Sequence, residues 1–368
     1  MDKQRLFLLI EKYIEGTALP AERAELLAWY HHVNELEADW ETAEPGGEEL
    51  LRAAMLSNIL HAIEPTGKKR RLWPLIAAAA SVLAFLSFGY LFLHQQPVQK
   101  QTDIAPGGNI AILSFNGKQI VLNTTKNGIV AGRGNLTVTK QADGRLAYAG
   151  RGEASYDTLT TPRGGTYQLT LADGSKIWLN AATSIRYHSS FNGDKFRTVA
   201  LLYGEAYYEV KHDPKQPFRV VIGGQTITDI GTHFDVSAYG DEPVVRTTLL
   251  EGGVQIALGK GFKNLVPGQQ SFIVKGSQDI RVGDADTEQT VAWKNGYFEF
   301  NNENLESILR EVSRWYNVDI RYDDNGLKSQ LFSGTVSRFK NVSQVLKKLE
   351  LTGAVHFQVN GREIVATH

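Results

Sequence analysis

Twenty-two residues from Leu72 to Leu93 (LWPLIAAAASVLAFLSFGYLFL) carry no charge, and nowhere else does the chain hold an apolar run of that length. A helix rising about 1.5 Å per residue needs roughly 20 apolar residues to cross a ~30 Å hydrocarbon core, so this run predicts one transmembrane helix. Lys68, Lys69, Arg70 and Arg71 stand directly before it. Four consecutive cations resist translocation, which predicts a cytoplasmic Met1 to Gly67. The run starts too far from the N-terminus for a cleaved secretory signal and reads as a permanent anchor. Pro74 falls in its first turn, where a missing N–H costs little.

On the N-terminal side the apolar positions recur at helical spacing in three blocks. They are Leu6, Leu9, Ile10, Tyr13 and Ile14; then Leu26, Leu27, Trp29, Tyr30, Val33 and Leu36; then Leu50, Leu51, Ala54, Met55, Ile59, Leu60 and Ile63. Glu15-Gly16-Thr17 closes the first, Pro20 suits the first turn of the second, and Glu44-Pro45-Gly46-Gly47 separates the second from the third. Residues 1–67 therefore predict a small all-α bundle.

Beyond the apolar run the period changes to two. Short β-rich stretches broken by Gly, Asn and Asp predict an all-β domain over 100–286, built of stacked antiparallel sheets as a sandwich or a solenoid-like form. Strands are expected at Ser184–His188, Arg197–Leu202, Ala206–Val210, Phe218–Ile222, Gln225–Asp229, His233–Ala238, Val244–Leu250, Gly253–Leu258 and Gln270–Val274. One passage is doubled. Ala105-Pro106-Gly107-Gly108 leads into LSFNGKQIVLN, and Thr161-Pro162-Arg163-Gly164-Gly165 leads into LTLADGSKIWLN, each a hairpin around Asn-Gly or Asp-Gly. From Trp293 to His368 both periods occur in the order βαβ, β, α, ββ, with a helix bearing Leu305, Ile308, Leu309, Val312, Trp315 and Tyr316 capped by Asn302 or Asn304. That pattern predicts a small α+β domain of two related halves.

Charge sharpens the division. Residues 1–67 hold 13 Asp and Glu against five Lys and Arg, whereas the whole chain nets −1. A field of that sign excludes direct nucleic-acid binding by this segment and favours a basic protein partner; a solvated acidic bundle that only anchors the chain stays open. There is no cysteine, no Walker loop, no Gly-x-Ser-x-Gly elbow and no His-Glu-x-x-His motif. The histidines show no ligand spacing, and neither a metal nor a cofactor is expected. One chemical candidate remains: in Asp229-Ile230-Gly231-Thr232-His233-Phe234 a hydroxyl follows a glycine, so Thr232 could attack the preceding peptide carbonyl. A tight connection between strands accounts for the pair equally well.

Several long passages resemble the FecR-like anti-sigma factors, inner-membrane regulators of bacterial nutrient uptake. They are TPRGGTYQLTLADGSKIWLNAATSIRYHSSF (Thr161 to Phe191), LYGEAYYEVKHDPKQPFRVV (Leu202 to Val221), TDIGTHFDVSAY (Thr228 to Tyr239), and LLEGGVQI with LVPGQQ (Leu249 to Ile256, Leu265 to Gln270). Trp293 to Tyr322 is similar to the family's C-terminal module, whose halves look like the short N-terminal domain of secretins and TonB-dependent receptors. The resemblance implies an extracytoplasmic-function sigma factor bound by residues 1–67, through Leu26, Trp29, Tyr30, Val33, Leu50, Met55 and Ile59. It implies a periplasmic β domain, and contact between Trp293 to His368 and the signalling domain of an outer-membrane TonB-dependent transducer. Some members cut themselves at a Gly-Thr pair, which Gly231-Thr232 matches. Two other classes are weighed against it: a membrane-tethered periplasmic enzyme acting on glycans, and a structural component of the envelope or of secretion.

Overall fold

The computed structural model describes residues 5, 8, 9, 12, 17, 19–33, 103–150, 155–229 and 231–368, without the side chains of 27 and 29–33. The apolar run Leu72–Leu93 with its cations Lys68–Arg71, and the third helical block with Leu50, Met55 and Ile59, lie outside these residues. So do the side chains of Trp29, Tyr30 and Val33. Among the described residues no helix is long and apolar enough to cross a membrane. The chain divides into two compact units, Met1–Val98 and Gln99–His368.

In the first unit Pro20 begins the helix Pro20–Val33, where its fixed φ suits the first turn. Glu22, in that turn, accepts the Leu19 N–H at 3.0 Å. Residues 5, 8, 9 and 12 are helical. Ion pairs from Lys12 to Glu22 at 2.6 Å and from Arg5 to Glu25 at 3.0 Å tie them to the second helix, while Leu9 is buried.

Nineteen strands of the second unit form one connected system: two layers, plus the short strand Gly108–Asn109 paired in parallel with Gly165–Thr170. The first layer runs, in spatial order, Lys118–Val121, Ile112–Phe115, Tyr156–Thr161, Thr183–His188, the first half of Arg197–Glu209, Phe218–Ile222, Gln225–Asp229, Val254–Leu258 and Gly261–Leu265. The second runs Gly128–Arg133, Leu136–Lys140, Leu146–Ala149, Gly165–Thr170, Lys176–Leu179, the second half of Arg197–Glu209, His233–Ala238, Val244–Glu251, Gln269–Val274 and Arg281–Asp284. Arg197–Glu209 serves both layers. The sequence pattern predicts two strands there; the chain instead continues through Gly204, whose φ of +96° no side chain would tolerate against Thr183. Most pairs are antiparallel, but three are parallel, including Arg197–Ala200 beside Phe218–Val221.

Strict alternation explains why the layers stack as a sandwich. Phe218–Ile222, Gln225–Asp229 and Val254–Leu258 each bury every second residue. Their inward side chains meet those of Leu169, Leu179, Phe234, Val236 and Leu249 in one apolar core. Both predicted hairpins form, and Asn116 and Gly117 take positive φ at the tip of the first.

The C-terminal module has its own core around Leu305, Ile308, Leu309, Val312, Trp315, Val345, Leu346 and Ile364. The helix Leu305–Tyr316 is capped by Asn304, which accepts the Ser307 N–H at 3.0 Å, so the second of the two predicted caps is the one used. Tyr297–Asn304 pairs with Leu331–Ser337, and Asp319–Tyr322, Glu363–Thr367 and His356–Asn360 form a three-stranded sheet. The helix Val342–Glu350 completes the module.

Candidate functional site

Polar chemistry gathers at the seam between the sandwich and the C-terminal module, and at the turn at Gly231-Thr232.

The doubled Pro-containing passages build the seam. Arg163 wraps the C-terminal end of the Leu305–Tyr316 helix, donating to the Asp319 carboxylate at 3.0 Å, to the Ser313 carbonyl and hydroxyl at 3.2 and 3.1 Å, and to the Val318 carbonyl. A cation at a helix C-terminus meets the unsatisfied carbonyls there. Gly164 donates to the Arg314 carbonyl at 2.8 Å. In the other copy, Gly107 presses so close that a Cβ would lie 2.7 Å from the Trp315 ring and 2.6 Å from the Gly164 oxygen. Gly107 leaves no room for a side chain, and Gly164 has a φ of +76°, which L side chains rarely adopt.

The first described residues of this unit reach the module before they reach the sandwich. Ile104 is buried in the C-terminal core, and its carbonyl accepts the Val342 N–H at 3.0 Å. The carboxylate of Asp103 accepts from the Ser343 hydroxyl at 2.6 Å and from the Ser343 N–H at 3.3 Å. Asn341, the helix's own N-cap residue, makes no side-chain cap. Asp103 takes that place, supplying an anion where the exposed N–H groups and the helix dipole favour one.

Deeper in the seam two arginines are almost fully buried. Arg314 donates to Asp241 at 3.1 Å and to Glu242 at 2.8 Å, and stacks over Tyr239. Arg338 donates to Asn180 Oδ1 and to the Trp293 carbonyl, both at 2.9 Å, and lies over Trp315. Asn180 in turn donates to Glu205 at 2.5 Å, and the Trp293 indole donates to Asp235 at 3.3 Å. Burial raises the Glu205 and Asp235 carboxyls, and each is pushed further up by an acidic neighbour. These groups border a cavity of about 260 Å³ that also meets Glu303 and Glu311. Among the described residues no group of His, Cys, Asp or Glu is arranged to hold a metal.

At the second place the chain passes from Gln225–Asp229 in one layer to His233–Ala238 in the other. Asp229 Oδ1 accepts the Gly231 N–H at 2.9 Å and also the Thr232 hydroxyl. Gly231 has φ +97°, and a Cβ there would lie 2.5 Å from His212 Nδ1. Gly252 packs against the same peptide, with a would-be Cβ 2.4 Å from the Gly231 oxygen. Thr232 is 2% exposed, and its carbonyl accepts the Val210 N–H at 3.0 Å. The Thr232 hydroxyl is thus held with its proton directed at a carboxylate, one residue after the Gly231 peptide.

Of the residues singled out by sequence, Gly231 and Thr232 lie in the connection between two strands, and Leu26 lies half-buried on its helix. Glu205 accepts from Asn180, and Glu209 pairs with Lys176 and Lys294. Asp103, Arg314, Arg338 and the contact of Asp229 with Thr232 were not foreseen. Arg314 carried a signal: it sits beside Trp315 and Tyr316 in the last turn of a strongly amphipathic helix.

Comparison with known proteins fits this architecture. Residues 157–255 match the family model described as FecR protein, and residues 297–366 the model described as FecR, C-terminal. Two crystal structures of a candidate anti-sigma factor from Parabacteroides distasonis ATCC 8503 are similar, each at 25% identity and a TM-score of 0.53. They cover 57% and 58% of this chain and 98% of their own. No curated protein matches the chain.

Proposed function

We propose, from the premise that this chain is a FecR-like anti-sigma factor carrying both FecR domains, that it is a single-pass inner-membrane relay. Residues 1–67 bind an extracytoplasmic-function sigma factor in the cytoplasm through Leu26, Trp29, Tyr30, Val33, Leu50, Met55 and Ile59. Leu72 to Leu93 cross the membrane, oriented by Lys68 to Arg71. The sandwich and the C-terminal module lie in the periplasm, where Trp293 to His368 receive the signalling domain of an outer-membrane TonB-dependent transducer. Transcription of nutrient-uptake genes, for iron or for glycans, is the output.

The observation that carries this reading is the grip of the C-terminal module on Asp103 and Ile104. Those residues follow Leu93 closely in sequence. A partner that shifts the module acts on the segment leading straight back to the apolar run, with no need to deform the sandwich.

The test is a two-hybrid assay between residues 1–67 and the sigma factor encoded beside this gene, paired with a reporter for that factor. Binding that is lost on Trp29→Ala, with the reporter rising, is the expected result. A reporter equally active with and without this protein would exclude inhibition. We propose in addition that the chain cuts itself between Gly231 and Thr232; intact tagged Thr232→Ala protein beside two fragments of wild type on an immunoblot is the expected pattern.

A further inference from the structure

Resting on the cleavage proposed above, we infer that Asp229 is the catalytic base of that reaction and takes the proton of the Thr232 hydroxyl. The hydroxyl already donates to Asp229 Oδ1. That oxygen also accepts the Gly231 N–H at 2.9 Å, which fixes the attacked residue and the nucleophile to one carboxylate. Gly231 at φ +97° and Gly252 against its carbonyl oxygen hold the peptide in a geometry that larger residues would prevent.

The step balances without any added reagent but water. Thr232 Oγ passes its proton to Asp229 and bonds to the Gly231 carbonyl carbon. The bond from that carbon to the Thr232 nitrogen breaks, the nitrogen takes up the proton, and an ester links Gly231 to the Thr232 side chain. Water then hydrolyses the ester, leaving a Gly231 carboxylate and a free Thr232 amino group. His212 also lies close to Gly231, but the hydroxyl donates to Asp229. His233 lies next in the chain and is paired with Glu251 at 3.0 Å.

An ordinary structural role for Asp229, capping the turn, is separable from this one. Asp229→Asn keeps an Oδ1 acceptor for both donors and loses the basicity. Full-length tagged protein in membranes is followed by immunoblot and by mass spectrometry of the new termini, with neutral hydroxylamine added in parallel to trap any ester. Asp229→Asn is expected to slow cutting about 100-fold or more, with no rescue by hydroxylamine, because the ester itself fails to form. His212→Ala is expected to cut like wild type.

Asp229→Asn that cuts at the wild-type rate while Thr232→Ala stays whole overturns the role of Asp229 and leaves the cleavage standing. So does hydroxylamine rescue, or loss of cutting in His212→Ala alone. A wild-type chain that stays whole overturns the cleavage and this inference together. Asp229→Ser, which retains a hydroxyl cap, guards against misfolding: with its thermal transition kept and cutting lost it supports the base, and with cutting kept it refutes it.

Discussion

The apolar core of the sandwich and the seam beside it solve the same burial problem with different materials. Inside the sandwich Leu169, Leu179, Val236, Leu249 and Ile256 meet one another, and Tyr208 stacks on Phe234 at 4.9 Å. At the seam Arg314, Arg338, Asp235 and Glu242 are buried as well. Apolar packing is non-directional and tolerates small shifts, whereas a buried guanidinium stays favourable only while each partner keeps its place. The sandwich is thus made to persist, and the seam to hold in one arrangement or let go.

The sharpest test of that contrast is Arg314→Ala, which leaves Glu242 enclosed and paired only with Arg246. A loss of about 3–5 kcal/mol is expected in urea unfolding of the second unit, because removing one partner strands the other charge. A loss below about 1 kcal/mol would show the seam to be ordinary surface. Arg314→Met combined with Glu242→Leu should recover most of the loss.

Acidity separates the two regions next. Asp157, fully buried in the sandwich beside the Tyr148 hydroxyl, has its carboxyl raised by burial to about 6 from the usual 3.8, and Tyr148 and Arg133 only partly oppose this. The native state therefore binds more protons than the unfolded chain between these values. Stability should fall as pH rises from about 4 through 6, by about 3 kcal/mol at most, and Asp157→Asn should flatten that slope. Asp235 is raised as well, so the same sign applies locally at the seam. Hydrogen exchange in the Leu305–Tyr316 helix should quicken with pH beyond its intrinsic increase in wild type but not in Asp235→Asn. Equal corrected protection across pH would break the comparison.

Asp103→Ala should have the smallest effect. Losing a capping carboxylate costs about 0.5–2 kcal/mol, seen as faster exchange at the start of Val342–Glu350 with the sandwich unchanged. Slower exchange, or none of the change confined to that helix, would remove Asp103 from the cap.

What the sequence made legible follows from range. Period-two runs such as Phe218–Ile222 and the helical face of Leu305 to Tyr316 are local signals, and they placed these elements nearly to the residue. The strands at Gly261–Leu265 and Arg281–Asp284 escaped because their outward residues are polar or exposed and the alternation is faint. Arg197–Glu209 was split because a glycine inside a strand reads as a break, while here it lets one strand change layers. The Gly-Thr pair was visible as a candidate, yet its carboxylate partner became identifiable only when the turn folded Asp229 back onto Thr232. Contacts such as Asp103 with Ser343 span most of the unit's length and leave no local trace.

The grip on Asp103 and Ile104 also fixes the order in which the molecule comes apart under load. A tug on the chain just upstream of Asp103 meets one exposed carboxylate, one main-chain hydrogen bond and one buried isoleucine before it meets any ladder of strands. Such a fastening peels link by link, as a zip fastener does, and yields at modest force. Once peeled, it frees the short length of polypeptide that precedes the first strand, while the strand ladders stay closed.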